Sequence, residues 1–143
     1  MIIPVATTIS GLHRACFEVT GRDYPDAIVA GFNQRLEGIM HPRGAGAIVA
    51  FGTDTVAGPN SFSGRQFMAE VWALNQSLPN QAVIATLTRK AAEFVGRGAE
   101  LGTLEPGKFA DIILIDGDPL AESSDHGRVK VVIRRGTMVV DHR

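Results

Sequence analysis

Cysteine is almost missing: Cys16 stands alone among 143 residues, which excludes an internal disulfide and any CxxC metal site. An excess of positive charge is missing as well. Lys plus Arg number 14 against 15 Asp plus Glu, a balance that speaks against a nucleic-acid partner, which would want a basic face for its phosphates. The opening Met1-Ile2-Ile3-Pro4-Val5 has no basic leader, and its apolar run is too short for a signal peptide or a membrane span. A reducing, cytoplasmic setting is therefore the default expectation. Internal repeats and low-complexity tracts are also lacking. What remains is the balance of a soluble globular protein, with 45% apolar and 20% charged residues, long enough for one domain with its own core. Sixteen glycines and seven prolines suit short loops joining many elements.

The apolar, β-branched stretch at residues 1–9 reads as a short buried strand. Asp23-Tyr24-Pro25-Asp26 then opens a helix: Asp23 can cap the first amides, Pro25 suits the first turn and Asp26 complements the dipole. Ile28, Val29, Phe32, Leu36, Ile39 and Met40 recur at helical spacing up to Pro42. Ala47-Ile48-Val49-Ala50-Phe51 is an uninterrupted apolar run, the pattern of a strand covered on both faces in a parallel sheet. Gly52-Thr53-Asp54-Thr55 ends it with an abrupt change to polar residues. Two helices are expected next, over 64–76 with Phe67 and Trp72 on one core-facing side, and over 81–95 with Asn80 as cap and Gly96 as stop. From Leu101 the texture turns to β. A strand at 112–115 ends in the turn Asp116-Gly117-Asp118-Pro119, and 129–134 with 137–141 form a hairpin around Arg135-Gly136.

Two stretches resemble a known family. Ile48-Val49-Ala50-Phe51-Gly52-Thr53-Asp54 looks like the eighth barrel strand of the metal-dependent amidohydrolase superfamily. Residues 88–120, and above all the ten consecutive positions Gly102-Thr103-Leu104-Glu105-Pro106-Gly107-Lys108-Phe109-Ala110-Asp111, are similar to the segment by which these enzymes leave the barrel and complete a small β-sandwich. The closing VVIRRGTMVV matches the last hairpin of that sandwich. The opening IIPVATT is compatible with strand seven of imidazolonepropionase-like and prolidase-like members. Lys90 stands where many members carry a small polar residue. The resemblance implies an α/β fold: the C-terminal part of a (β/α)8 TIM barrel, strands seven and eight with their helices, over residues 1–98, then sandwich strands over 99–143. A full barrel of this kind takes roughly 250 residues, so the remainder is expected from a longer parent chain or a separate subunit.

The same resemblance assigns chemistry to Asp54. A carboxylate at the C-terminal end of a barrel strand sits where such barrels react. The matching aspartate in family members ligates a divalent metal, commonly zinc, takes a proton from the attacking water and delivers it to the leaving amine. A carboxylate suits both tasks. Without the downstream match at 102–111 the residue would read first as an aspartate capping a turn after a strand; with it, the metal-site ancestry is favoured. Thr53 and Thr55 flank it and can orient its carboxylate, or can be ordinary strand-end threonines. Asn60, in the polar loop after the strand, can reach substrate. Of the four histidines, His13 follows the first strand and can face the site, whereas His41, His126 and His142 are expected on the solvated surface. The family's HxH pair, carboxylated lysine and further histidines have no counterpart here. A lone aspartate is too few ligands for zinc, which needs three or four, so the chain by itself is expected to bind metal weakly or not at all. Lys108, Asp111, Asp116 and Asp118 are expected to be structural, and Cys16, with no histidine beside it, is no nucleophile.

The leading expectation is thus metal-dependent hydrolysis of a C–N bond in a cyclic amide, amidine or dipeptide-like substrate, inactive without the rest of the barrel. The alternative is a catalytically silent fragment or self-associating module that binds no substrate. A homo-oligomer, or a complex with the missing portion, is expected in either case; nucleic acid and membrane are not expected partners.

Overall fold

The structure is a computed structural model, and it describes residues 4–7, 30, 31, 34, 38, 48–53, 64–76 and 78–143. Strand β1 (Pro4–Thr7) and strand β2 (Ile48–Phe51) pair in parallel, with Pro4 opposite Ile48 and Thr7 opposite Phe51. A parallel pair needs a crossover, and the connection runs through helical positions at Ala30, Gly31, Gln34 and Gly38, inside the helix expected over residues 23–40. Val49 and Ala50 are buried, as an apolar run without alternation requires.

Helix α1 (Gly64–Asn75) follows. It buries Ala69, Glu70, Val71, Ala73 and Leu74, while Phe67 and Trp72 remain 36% and 37% exposed. The expectation that these two rings share a core-facing side is therefore corrected. Five residues of α-helix turn through about 140° beyond one full revolution, so a side facing the core at Val71 and Leu74 cannot take in both. Val71, Ala73, Leu74, Leu78 and Val83 form the core cluster, with Phe51, Ala82 and Leu87 packed on it.

The single helix expected over 81–95 is two: α2 (Asn80–Leu87) and α3 (Arg89–Phe94). They are parted at Thr88, which has φ −122° and ψ −94°. The Thr88 hydroxyl donates to the Ile84 carbonyl at 2.7 Å, a side-chain bond that competes with the helical ladder. Asn80 is not the cap either. Pro79 holds that position without a side-chain bond, and Asn80 Nδ2 instead donates to the Leu120 carbonyl at 2.8 Å, tying the helix start to the C-terminal region. Gly96 does end α3, with φ +74°. The Arg97 amide reaches back to the Ala92 carbonyl and the Gly96 amide to that of Glu93, the paired bonds of a Schellman ending.

Strands β3 (Ile112–Ile115), β4 (Val129–Arg134) and β5 (Thr137–Asp141) make a separate antiparallel sheet in that order. The expected hairpin is present. Arg135 and Gly136 have φ of +49° and +80°, the left-handed pair of a tight two-residue turn. Asp111 Oδ1 accepts from the Arg135 amide at 2.7 Å. Between β3 and β4 a 3-10 helix (Ser123–Gly127) packs against α1. Within it Asp125 Oδ2 accepts from the Asp118 amide at 2.8 Å, which closes the turn at 116–119. No helix among the described residues is long and apolar enough to cross a membrane.

Candidate functional site

The candidate site starts where β2 stops. Phe51 points into the core and meets the Phe67 ring at a centroid distance of 5.1 Å, tilted by 54°, so the end of the strand is anchored to α1. Gly52 and Thr53 carry the chain out, both half-buried. Thr53 is the one sequence-predicted site residue that the structure describes. Asp54, Thr55, Asn60 and His13 lie outside the described residues, as do Cys16 and His41.

A cleft of about 110 Å³ lies to the side, lined by Val49, Leu78, Ala82, Ala85, Thr86, Arg89 and Lys90. Thr53, the described site residue, is not among the described residues that line it. Its two cations are engaged with one carboxylate: Lys90 Nζ is 2.8 Å from Glu93 Oε2, and Arg89 Nη1 is 3.9 Å from Oε1. The Lys90 hydrogen bond holds the Glu93 carboxyl below its ordinary range. Lys90 thus serves a helix-surface pair.

The residues expected to be structural are so engaged. Lys108 Nζ donates to the Gly98 carbonyl at 2.7 Å and to Thr103 Oγ1 at 2.6 Å. Asp116 pairs with Arg128 at 3.1 Å, and Asp118 Oδ1 accepts from the Leu120 amide at 2.9 Å. The Asp125 carboxyl is lowered, first by the Asp118 amide and then by Arg128.

His142 is exposed, as expected. His126 is not on the surface: it is 9% exposed, and burial lowers its imidazole pKa against the opposing pull of Asp125. Its charged and small neighbours in sequence hid this. The available signal was that residues 121–128 have no large apolar side chain, so a 3-10 helix docked there must bury its one ring.

Whether the residues fit a metal can be tested on the donor set. Among the described residues, no group of three or more His, Cys, Asp and Glu is placed to hold an ion. Zinc takes three or four protein ligands, and Asp54 lies outside the described residues. The described residues alone therefore offer no ligand set for a resident zinc.

The sequence matches the amidohydrolase family over residues 36–139. It is 31% identical to the imidazolonepropionase of Shouchella clausii (strain KSM-K16) over 100 residues, 68% of this chain but only 22% of that enzyme. The chain also superposes on the crystal structure of an amidohydrolase, with 26% identity and a TM-score of 0.71 over 96% of this chain and 34% of the other. A prolidase solved with N-methylphosphonate-L-proline gives 26% identity and a TM-score of 0.72, covering 96% of this chain and 35% of its own. The chain therefore spans about a fifth of the imidazolonepropionase and about a third of the solved structures. With the family matched over residues 36–139 and the fold shared over 96% of its length, this chain belongs to the amidohydrolase family.

Proposed function

We propose that the chain is the C-terminal portion of a metal-dependent hydrolase of C–N bonds, acting on a cyclic amide, amidine or dipeptide-like substrate. In this reading β1 and β2 are strands seven and eight of a (β/α)8 barrel, residues 1–98 belong to that barrel, and residues 99–143 complete a β-sandwich. The observation that carries it is the parallel β1–β2 pair, from whose C-terminal end Gly52 and Thr53 lead out, with Asp54 next in sequence. Chemistry in such barrels is done at that end. Asp54 is then the proton carrier, taking a proton from the attacking water and returning it to the leaving amine. Thr53 and Thr55 orient its carboxylate, and Asn60 and His13 face the substrate. The imidazolonepropionase and prolidase relatives support the C–N bond class. The remaining metal ligands, and most of the barrel, come from a longer parent chain or a separate subunit.

Two results are expected of the isolated chain. It should show no turnover of an Xaa-Pro dipeptide or an imidazolone, and metal analysis after chelator-free purification should find zinc well below one per chain. One tightly held zinc per chain would overturn the single-ligand reading, and His13 would be the first residue to replace. In an assembly completed with the missing portion, Asp54→Asn should cut kcat by about 10²–10⁴-fold, the usual contribution of a positioned proton carrier. A smaller loss would remove Asp54 from that role.

A further inference from the structure

Among the described residues one histidine is buried, and the hydrolase reading makes no use of it. His126 lies in the 3-10 helix Ser123–Gly127, which docks on α1; Met68 lies over Gly127, close enough that a methyl added there would come within 3.6 Å of its Sδ. His126 is 9% exposed. Its Nε2 is sealed from solvent and has no hydrogen-bond partner.

A neutral imidazole offers one donor and one acceptor nitrogen, whereas the charged ring has two donors. Protonation therefore places an N–H on Nε2 against a wall with no acceptor, and adds a charge in a buried site. A buried charge is far costlier than a buried neutral group unless it is paired. The charged neighbours do not supply the missing partner. Asp125, next in sequence, already receives the Asp118 amide on Oδ2 and Arg128 Nη1 on Oδ1. Arg128 divides itself between Asp125 and Asp116. At the end of β3, Asp116 is also 3.7 Å from Lys130. On α1, which packs on the 3-10 helix, the buried ionisable group among the described residues is Glu70.

We propose that His126 is an acid-operated latch at the joint between the C-terminal sheet and α1: neutral, it lets the 3-10 helix dock, and protonated, it releases it. This holds whether or not the hydrolase reading does. Desolvation puts the docked-state pKa below the ordinary 6.5, with Asp125 opposing. Docking is then at full strength above about pH 6.5 and weakens as the pH falls from there toward the docked-state value, because the released state binds the extra proton. One proton gives at most about a tenfold rise in opening per pH unit.

Hydrogen exchange of the full chain at pH 7.5 and 5, corrected for the intrinsic rate, tests this. Amides of α1 and the 3-10 helix should lose protection on acidification by up to about tenfold per unit across that window, while those of the β4–β5 hairpin should not. His126→Gln and His126→Leu should both abolish the acid step. Persistence of the step in both variants, which would assign it to Glu70, overturns the proposal, as does the absence of any step. Should neither variant fold, NMR titration of the His126 imidazole in the unaltered chain decides: a pKa well below 6.5 supports the latch, and one at or above 6.5 ends it.

Discussion

Replacing Gly102 by alanine should lower the unfolding free energy by about 2–5 kcal/mol, a large part of the roughly 5–15 kcal/mol that holds a domain together. Two costs combine. Gly102 has φ +90°, a conformation that costs a residue with a Cβ about 1–2 kcal/mol. It is also seated against α3: an added Cβ would lie 2.7 Å from Ala92 Cβ, 2.9 Å from Arg89 Cα and 3.0 Å from the Thr88 carbonyl. Two of those three atoms are backbone, so the neighbours cannot swing away, and overpacking of this kind costs about 1–3 kcal/mol more. Gly107 separates the two terms. Its φ is +89° but a Cβ there meets nothing within 4 Å, so Gly107→Ala should carry the strain alone, about 1–2 kcal/mol. Urea midpoints at unchanged slope measure both. Equal losses at the two positions would show that contact with the helices is not what Gly102 provides.

The ten-residue stretch 102–111 gains a physical meaning from this. Gly102 lies on the break between α2 and α3, Thr103 receives Lys108, and Asp111 holds the hairpin turn through the Arg135 amide. The Phe109 ring has the guanidinium carbons of Arg97 and Arg135 at 5.9 and 5.0 Å from its centre, and cation–ring contacts of this sort are individually worth about 0.5–1 kcal/mol at exposed sites. Each of these contacts joins the C-terminal sheet to the helices or closes a turn. The stretch that identifies the family is therefore a joint in its architecture. It marks which fold this is and carries no information on substrate.

What could be read from the sequence divides along the same physical line. Ile48–Phe51 was legible as a covered parallel strand because its apolar run is unbroken, and the 135–136 turn because a β-rich run flanks it on each side. These are local signals. The break at Thr88 was not legible, since apolar periodicity continues through it and the cause is a hydroxyl bond to Ile84 together with a glycine fourteen positions downstream. Asn80 carries the right chemistry for a cap, but its amide is taken by Leu120, a contact that sequence spacing cannot show. His126 was placed on the surface by its polar neighbours, although the docked 3-10 helix had no other ring to bury. Asp54 stands apart from these. Residue type and position alone make it a turn aspartate before a ligand, and only the family resemblance gives it a chemical role.

The isolated chain should not be a monomer. Its C-terminal sheet carries large apolar side chains on both faces, with Lys130 and Arg134 on the same side as Val132. On one face Leu114 is opposite Val131, and Val131 is 1% exposed. On the other, Ile113, Val132 and Val140 stand in one row across the three strands, and Ile113 is 58% exposed. Val139, at the irregularity in the β4–β5 register, adds an aliphatic side chain that is 55% exposed. Fully burying one such side chain is worth roughly 1.5–3 kcal/mol, and contiguous exposed apolar surface of this kind marks an interaction site. Two copies meeting through this face bury the row twice over. A few such side chains per copy approach the roughly 8 kcal/mol that a micromolar dissociation constant represents. Sedimentation velocity at about ten times that concentration should show a dimer or larger species. Ile113→Lys, which puts a charge in the middle of the row, should shift the distribution toward monomer by tenfold or more in dissociation constant, the equivalent of about 1.4 kcal/mol. A monomer with a cooperative melt at that concentration would mean the sheet tolerates its wet face. A dimer untouched by the lysine would move the interface elsewhere, to the parallel β1–β2 pair or the exposed Phe67 of α1.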